Sequence, residues 1–280
     1  LVGLGLDEAM PSPFLAPGDL KNVGLVENNV LRITNPLVAE ESILRTSLRP
    51  GILRALRYNQ SHRATRIGLW EIGHVYPKSD QQLPDESEQL IIVVAGGDVE
   101  TSLAQWNAIC DALSAGTQLD QSRIPAGLHA GRSATLARGK KVVGVVGEVD
   151  PLVLDTLGIE GRVSILEVDL TVILNEEPKS VQAKDINRYP SSDLDLAFVM
   201  KDSVPASTLQ RALRQAAGKR LVSIDLFDVY RGKGVVEGSR NLAFRLRVQG
   251  VEATLTESQL AELQKTCVAA AAKAGATLRA

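Results

Sequence analysis

Six arginines, Arg45, Arg49, Arg54, Arg57, Arg63 and Arg66, fall in a stretch that holds no acidic residue between Ser42 and Trp70. Such a run can meet an acidic partner chain or RNA; its commonest use is a solvated basic face. A second pair, Arg245 and Arg247, alternates with Leu242, Phe244, Leu246 and Val248. On an extended strand both guanidinium groups then leave on the side away from the apolar residues. Asp195 and Ala197 stand in the same relation to Leu194, Leu196, Phe198 and Met200. A sheet face carrying small residues and arginines suits splayed single-stranded RNA. A domain–domain interface or a small-molecule sensor would use the same surface, and fold alone does not choose among them. Other chemistry finds no residues. His62, His74 and His129 show no H-E-x-x-H spacing, and Cys110 and Cys267 lie far apart, so no metal site is expected. Nucleophile-elbow, P-loop and dinucleotide glycine patterns are absent. Trp70 and Trp106 read as core.

The elements that must carry these residues are legible after residue 187. The alternation from Leu194 to Met200 predicts a half-buried strand, and Pro205 opens a helix with Leu209, Ala212, Leu213 and Ala216 on one side, stopped by Gly218. A strand from Leu221 to Tyr230 and another around Leu242–Val248 flank the turn Arg231-Gly232-Lys233-Gly234. Thr256 and Gln259 form a capping-box pattern before a helix with Leu260, Leu263, Cys267 and Ala271, and Thr277-Leu278-Arg279 closes as a strand. The order β-α-β-β-α-β is the split-βαβ, ferredoxin-like plan, with one sheet face open. Upstream, Pro50 and the spacing of Leu44, Leu48, Ile52, Leu53 and Leu56 predict an amphipathic helix with arginines on its flank.

Length and charge frame this. The 280 residues suggest two domains, and the polar run Asn175-Glu176-Glu177-Pro178-Lys179-Ser180 places their boundary near residue 183. The formal net charge of −2 hides an asymmetry: residues 1–186 carry 17 Lys/Arg against 24 Asp/Glu, and residues 187–280 carry 14 against 9. The terminal segment is therefore the one suited to a polyanion. No apolar run reaches the ~18 residues of a membrane span, and the ordinary composition excludes a disordered or collagen-like chain. The opening Leu1-Val2-Gly3 shows no signal peptide and reads as a piece of something longer, in a reducing cytoplasmic setting.

Phe227-Asp228-Val229-Tyr230-Arg231-Gly232, Glu237-Gly238-Ser239-Arg240-Asn241-Leu242-Ala243, Thr254-Leu255-Thr256 and Gly275-Ala276-Thr277-Leu278-Arg279 resemble the ferredoxin-fold anticodon-binding domain. That domain closes the β subunit of bacterial phenylalanyl-tRNA synthetases. Asn35-Pro36-Leu37, the run from Leu44 to Leu53, Trp70-Glu71-Ile72-Gly73 and the run from Gly144 to Pro151 are similar to the catalytic-like module that precedes it. The resemblance implies an α+β chain. An inactive, class II synthetase-like antiparallel sheet with flanking helices would occupy residues 1–183, and a ferredoxin-like domain residues 184–280. It implies an (αβ)2 ligase that joins phenylalanine to tRNA(Phe) using ATP and Mg2+, with chemistry in the α subunit and no cofactor, metal or catalytic residue in this chain. Pro77 follows Gly73-His74-Val75-Tyr76 where an active paralogue would carry an ATP-binding arginine, and Glu148, Asp150 and Pro151 stand where a second is expected. Arg63 and Arg66 are the remaining candidates for ATP.

By the same resemblance Tyr230 stacks on the first anticodon base, Asp228 accepts hydrogen bonds from it and Ala197 leaves it room. Lys233, Arg240, Arg245 and Arg247 neutralise phosphates, and Arg45, Arg49, Arg54 and Arg57 face the α chain. One tension stands. Asp228 and Tyr230 share parity with Val222, Ile224 and Leu226, whose side is the core; either a bulge near Leu226 or a base reaching the strand end reconciles the two. A free-standing single-chain synthetase and a non-enzymatic RNA-binding protein are the competing readings.

Overall fold

A computed structural model describes residues 1–80, 83–113, 115–175 and 186–279. The chain divides into two compact units, residues 1–181 and 182–280. The expected boundary at residue 183 lies outside the described residues.

The first unit holds β1 (Asp7–Glu8), β2 (Phe14–Leu15), α1 (Asp19–Asn22), β3 (Ile43–Leu44), α2 (Arg49–Ser61), β4 (Gly68–Val75), β5 (Ser87–Ala95), α3 (Val99–Leu113), β6 (Gln118–Asp120), β7 (Leu128–Arg138), β8 (Lys141–Val149), α4 (Pro151–Leu157), β9 (Val163–Asp169) and α5 (Leu170–Leu174). Seven strands form one sheet in the order β1-β4-β5-β9-β8-β7-β6. It is antiparallel except for the short parallel pair β1–β4.

The central strands are covered on both faces, which explains the unbroken apolar run from Leu90 to Ala95. Ile91, Val93 and Ile165 pack against Leu48, Ile52, Leu53 and Leu56 of the α2 region and Val153 and Leu154 of α4. Leu90, Ile92, Leu166 and Val168 pack on the other side against Trp106 of α3 and Ile173 of α5. Asp150 caps α4 by accepting the Leu152 N–H, Pro151 fills its first turn and left-handed Gly158 ends it.

In the second unit β10 (Ser191–Lys201), α6 (Ala206–Ala217), β11 (Leu221–Tyr230), β12 (Ser239–Gln249), α7 (Glu257–Lys273) and β13 (Thr277–Leu278) follow the expected β-α-β-β-α-β order. The antiparallel sheet runs β11-β12-β10-β13. Leu209, Leu213 and Ala217 of α6 and Leu263, Cys267 and Ala271 of α7 cover one face, meeting Leu196, Phe198, Leu242, Phe244 and Leu246. Fully burying Phe198 and Phe244 stabilises the unit by about 1.5–3 kcal/mol each. The capping box at Thr256 and Gln259 forms in both directions. Among the described residues no helix is long and apolar enough to cross a membrane.

Candidate nucleic-acid interface

Opposite residues in an antiparallel pair point to the same side of the sheet. Leu196 faces Phe244 and Phe198 faces Leu242 on the covered side, so the intervening pairs Ala197–Ala243, Asp195–Arg245 and Asp193–Arg247 lie on the open side. On the other flank of β12 the register runs Ile224–Leu246, Asp225–Arg245 and Leu226–Phe244, then shifts to Asp228–Ala243, Val229–Leu242 and Tyr230–Asn241. The shift is a β-bulge centred on Phe227. Of the two ways to reconcile the parity of β11, the molecule uses the bulge. One inserted residue carries Asp228 and Tyr230 from the covered side to the open side.

Two rows result. Asp228, Ala243 and Ala197 share the first, and Tyr230, Asn241 and Val199 share the second. The alanine methyls leave a shallow floor beside the Asp228 carboxylate. The Tyr230 ring, 39% exposed, stands at its rim. Its hydroxyl donates to the Lys233 carbonyl at 3.3 Å. Gly232, at φ +152°, makes that possible, because a Cβ there would meet the Tyr230 hydroxyl at 2.8 Å. Just after β13 the Arg279 N–H donates to the Ala197 carbonyl at 2.8 Å, and its guanidinium lies 5.7 Å from the Tyr230 ring centroid.

The cationic residues expected to meet phosphate are differently placed. Arg245 donates to both oxygens of Asp195 at 2.8 and 2.7 Å, and Arg247 to both oxygens of Asp193 at 2.8 and 2.9 Å. These hydrogen bonds hold both carboxyls below the ordinary aspartate range and push both guanidinium groups up. Arg240 is spent inside the unit, donating to the Asp202 carboxylate at 3.1 Å and to the Asp202 and Val204 carbonyls at 2.9 and 2.7 Å. Lys233 is exposed in the β11–β12 turn. Of the four residues expected to meet phosphate, Arg240, Arg245 and Arg247 are thus each matched by an acid.

Two residues of this face went unassigned in the sequence. Asn241 is 4% exposed, its Oδ1 has no partner, and it sits between Val199 and Tyr230. Its alternation with Ala243 and Arg245 was the available signal. Arg279 reaches the site only through β13 pairing with β10, which no local pattern encodes.

In the first unit the arginine run splits. Arg45 is 7% exposed; its Nη1 donates to Glu71 at 2.6 Å and its Nε to the His74 carbonyl at 2.8 Å. Arg49 is 2% exposed and donates to Glu167 from Nη2 at 2.7 Å and from Nε at 3.2 Å, and to the Ala126 carbonyl from Nη1 at 2.7 Å. Ser47 donates to the same carboxylate at 2.5 Å. Burial raises the Glu71 pKa, opposed by Arg45. Arg45 and Arg49 are therefore internal, which corrects their assignment to a docking face. Their acids arrive from β4 and β9, outside the acid-free stretch that suggested a bare basic surface. Arg54, bonded to Asp19 at 2.5 Å, and Arg57 do lie exposed on α2. Glu148 accepts from Arg132 at 2.7 Å, and Asp150 is a helix cap. No three His, Cys, Asp or Glu among the described residues are grouped to hold a metal ion.

Residues 1–170 match the family model described as the phenylalanyl tRNA synthetase beta chain CLM domain, and residues 187–279 match the ferredoxin-fold anticodon binding domain. The phenylalanine–tRNA ligase beta subunit of Geobacillus kaustophilus is 31% identical over all of this chain and 37% of its own length. That of Streptomyces avermitilis is 32% identical over all of this chain and 39% of its own. This chain thus spans less than two-fifths of either relative. The crystal structure of pyrrolysyl-tRNA synthetase from Desulfitobacterium hafniense is similar at a TM-score of 0.49 and 15% identity, over 62% of this chain and 63% of its own. On the family match, the chain belongs to the phenylalanyl-tRNA synthetase β-chain family, with a CLM domain followed by a ferredoxin-fold anticodon-binding domain.

Proposed function

We propose that this chain serves a phenylalanine–tRNA ligase as the part of its β subunit that braces the α subunit and holds the tRNA(Phe) anticodon, without catalytic residues of its own. ATP, Mg2+ and the amino acid are handled elsewhere in a cytoplasmic (αβ)2 enzyme. The observation that carries the anticodon role is the bulge at Phe227, which brings Asp228 and Tyr230 onto the open face beside Ala197 and Ala243. A base lying on the alanine floor stacks against Tyr230. Its Watson–Crick N–H groups donate to Asp228, an arrangement that favours guanine.

The bracing role draws support from the packing of the first unit. Both faces of β5, β9 and β8 are packed against apolar side chains of its own helices. Arg54 and Arg57 on the outer side of α2 are the cations left for an α-subunit contact.

The test is binding of an RNA hairpin carrying the phenylalanine anticodon loop to the 280-residue chain. Tyr230→Ala is expected to weaken it by about 1–3 kcal/mol, the value of one base–aromatic stack. Unchanged affinity overturns the site. Adenylate formation by the chain alone would favour a free-standing synthetase instead.

A further inference from the structure

Phe227 has no partner residue on β12. The register passes from Leu226–Phe244 to Asp228–Ala243, so Phe227 and Asp228 together oppose Ala243, and both side chains leave on the open side. The ring is 55% exposed on a strand whose neighbouring Ile224 is buried. The Arg245 guanidinium lies over it, 5.3 Å from the centroid, and is itself held flat by two hydrogen bonds to Asp195. Phe227 adds nothing to the buried core from this position. The apolar ring faces solvent, and the cation is already matched by an acid and cannot add much to phosphate attraction.

We propose that the Phe227–Arg245 pair is a second stacking platform, taking the nucleobase adjacent to the one on Tyr230; this rests on the anticodon reading above. Phe227 shares Ala243 with Asp228 and Tyr230 opposes Asn241, so about two strand steps, roughly 7 Å, separate the two rings along one face, with the Asp228 carboxylate between them. Four-stranded RNA-binding sheets use aromatic residues at such intervals to stack two or three consecutive unstacked bases, and arginine planes serve as stacking partners. Asp195 then acts as a positioning residue that fixes the guanidinium plane, and the bulge is what sets the interval between the two platforms.

The experiment is a cycle between protein and RNA. The 280-residue chain and its Phe227→Ala and Tyr230→Ala variants are titrated with the anticodon hairpin and with two hairpins abasic immediately 5′ or 3′ of the first anticodon base. In the wild-type chain one of the two lesions is expected to weaken binding about 5- to 150-fold, the equivalent of one base stack. In Phe227→Ala the same lesion is expected to cost nothing further, and in Tyr230→Ala it retains its full cost. Phe227→Tyr, which keeps a ring, restores the wild-type pattern. The inference is overturned if both lesions cost the same with and without Phe227 while Tyr230→Ala still weakens the intact hairpin. If the wild-type chain does not bind the intact hairpin, the anticodon reading itself falls and the second platform falls with it.

Discussion

Replacing Arg49 by methionine separates an internal arginine from a docking one. The side chain makes three hydrogen bonds, two to Glu167 and one to the Ala126 carbonyl, in a site almost closed to water. Removing one member of a buried pair leaves the other charge uncompensated, at a cost of about 3–5 kcal/mol. For a unit of this size each kcal/mol lowers the melting temperature by about 2–4 °C, so the transition of the first unit should fall by roughly 6–20 °C in calorimetry. Glu167→Met alone should cost a similar amount. The double variant should cost less than the two singles added, because no buried charge remains; its residual penalty comes from the Ser47 hydroxyl and the Ala126 carbonyl, which lose their partners. Arg54→Ala breaks only the exposed pair with Asp19 and should cost at most ~1 kcal/mol. The reasoning fails if Arg49→Met melts with the wild-type chain, or if the two single penalties simply add.

The paired aspartates of the open face give a second test. In the double variant Asp193→Asn, Asp195→Asn, Arg247 and Arg245 lose their matched carboxylates. The slope of log K against log salt for hairpin binding should steepen by about 0.7 for each arginine that then reaches a phosphate; an unchanged slope shows that neither does. Glu71 provides a third. Its folded-state pKa is raised by burial, so between the ordinary glutamate value and the raised one the folded chain binds more protons than the unfolded chain. Its contribution to stability therefore falls as pH rises through that window. Glu71→Gln should remove this part of the pH dependence, read as the melting temperature followed upward from the ordinary glutamate value to neutral pH; a Gln variant with the wild-type profile refutes it.

The second unit was legible almost element by element, because its strands alternate strictly and its helices carry local stop and start signals: Gly218 after α6, Thr256 and Gln259 before α7. What could not be read was long-range. The clash of parity between Ile224 and the pair Asp228 and Tyr230 pointed to a bulge near Leu226 as one of two solutions; only pairing with β12 chooses it and places the inserted residue at Phe227. The same holds for charge. Arg45 and Arg49 looked exposed because the stretch around them holds no acid, yet Glu71 on β4 and Glu167 on β9 reach them in the fold. Helix-local reading finds partners three or four residues away and misses partners that a fold brings from 26 and 118 residues away.

The placement of charge in the second unit bears on how it would hold RNA. Its excess of cations over acids is not on the open sheet face, where Asp193, Asp195, Asp225 and Asp228 stand among Arg245, Arg247 and Arg279. It lies largely on the helical side, where Arg211, Arg214, Lys219, Lys265 and Lys273 are exposed. Attraction to a polyanion acts over about a Debye length and does not select bases, so it can be supplied from a surface that never touches the reading site. A reading face gains from being nearly neutral, because a free arginine there would reward any phosphate, in any sequence and register. Matching Arg245 and Arg247 with aspartates lowers that reward, and on the proposed function stacking on Tyr230 and hydrogen bonding to Asp228 are then the terms that depend on which base is presented. On the proposed function, capture and discrimination fall to opposite sides of one small sheet.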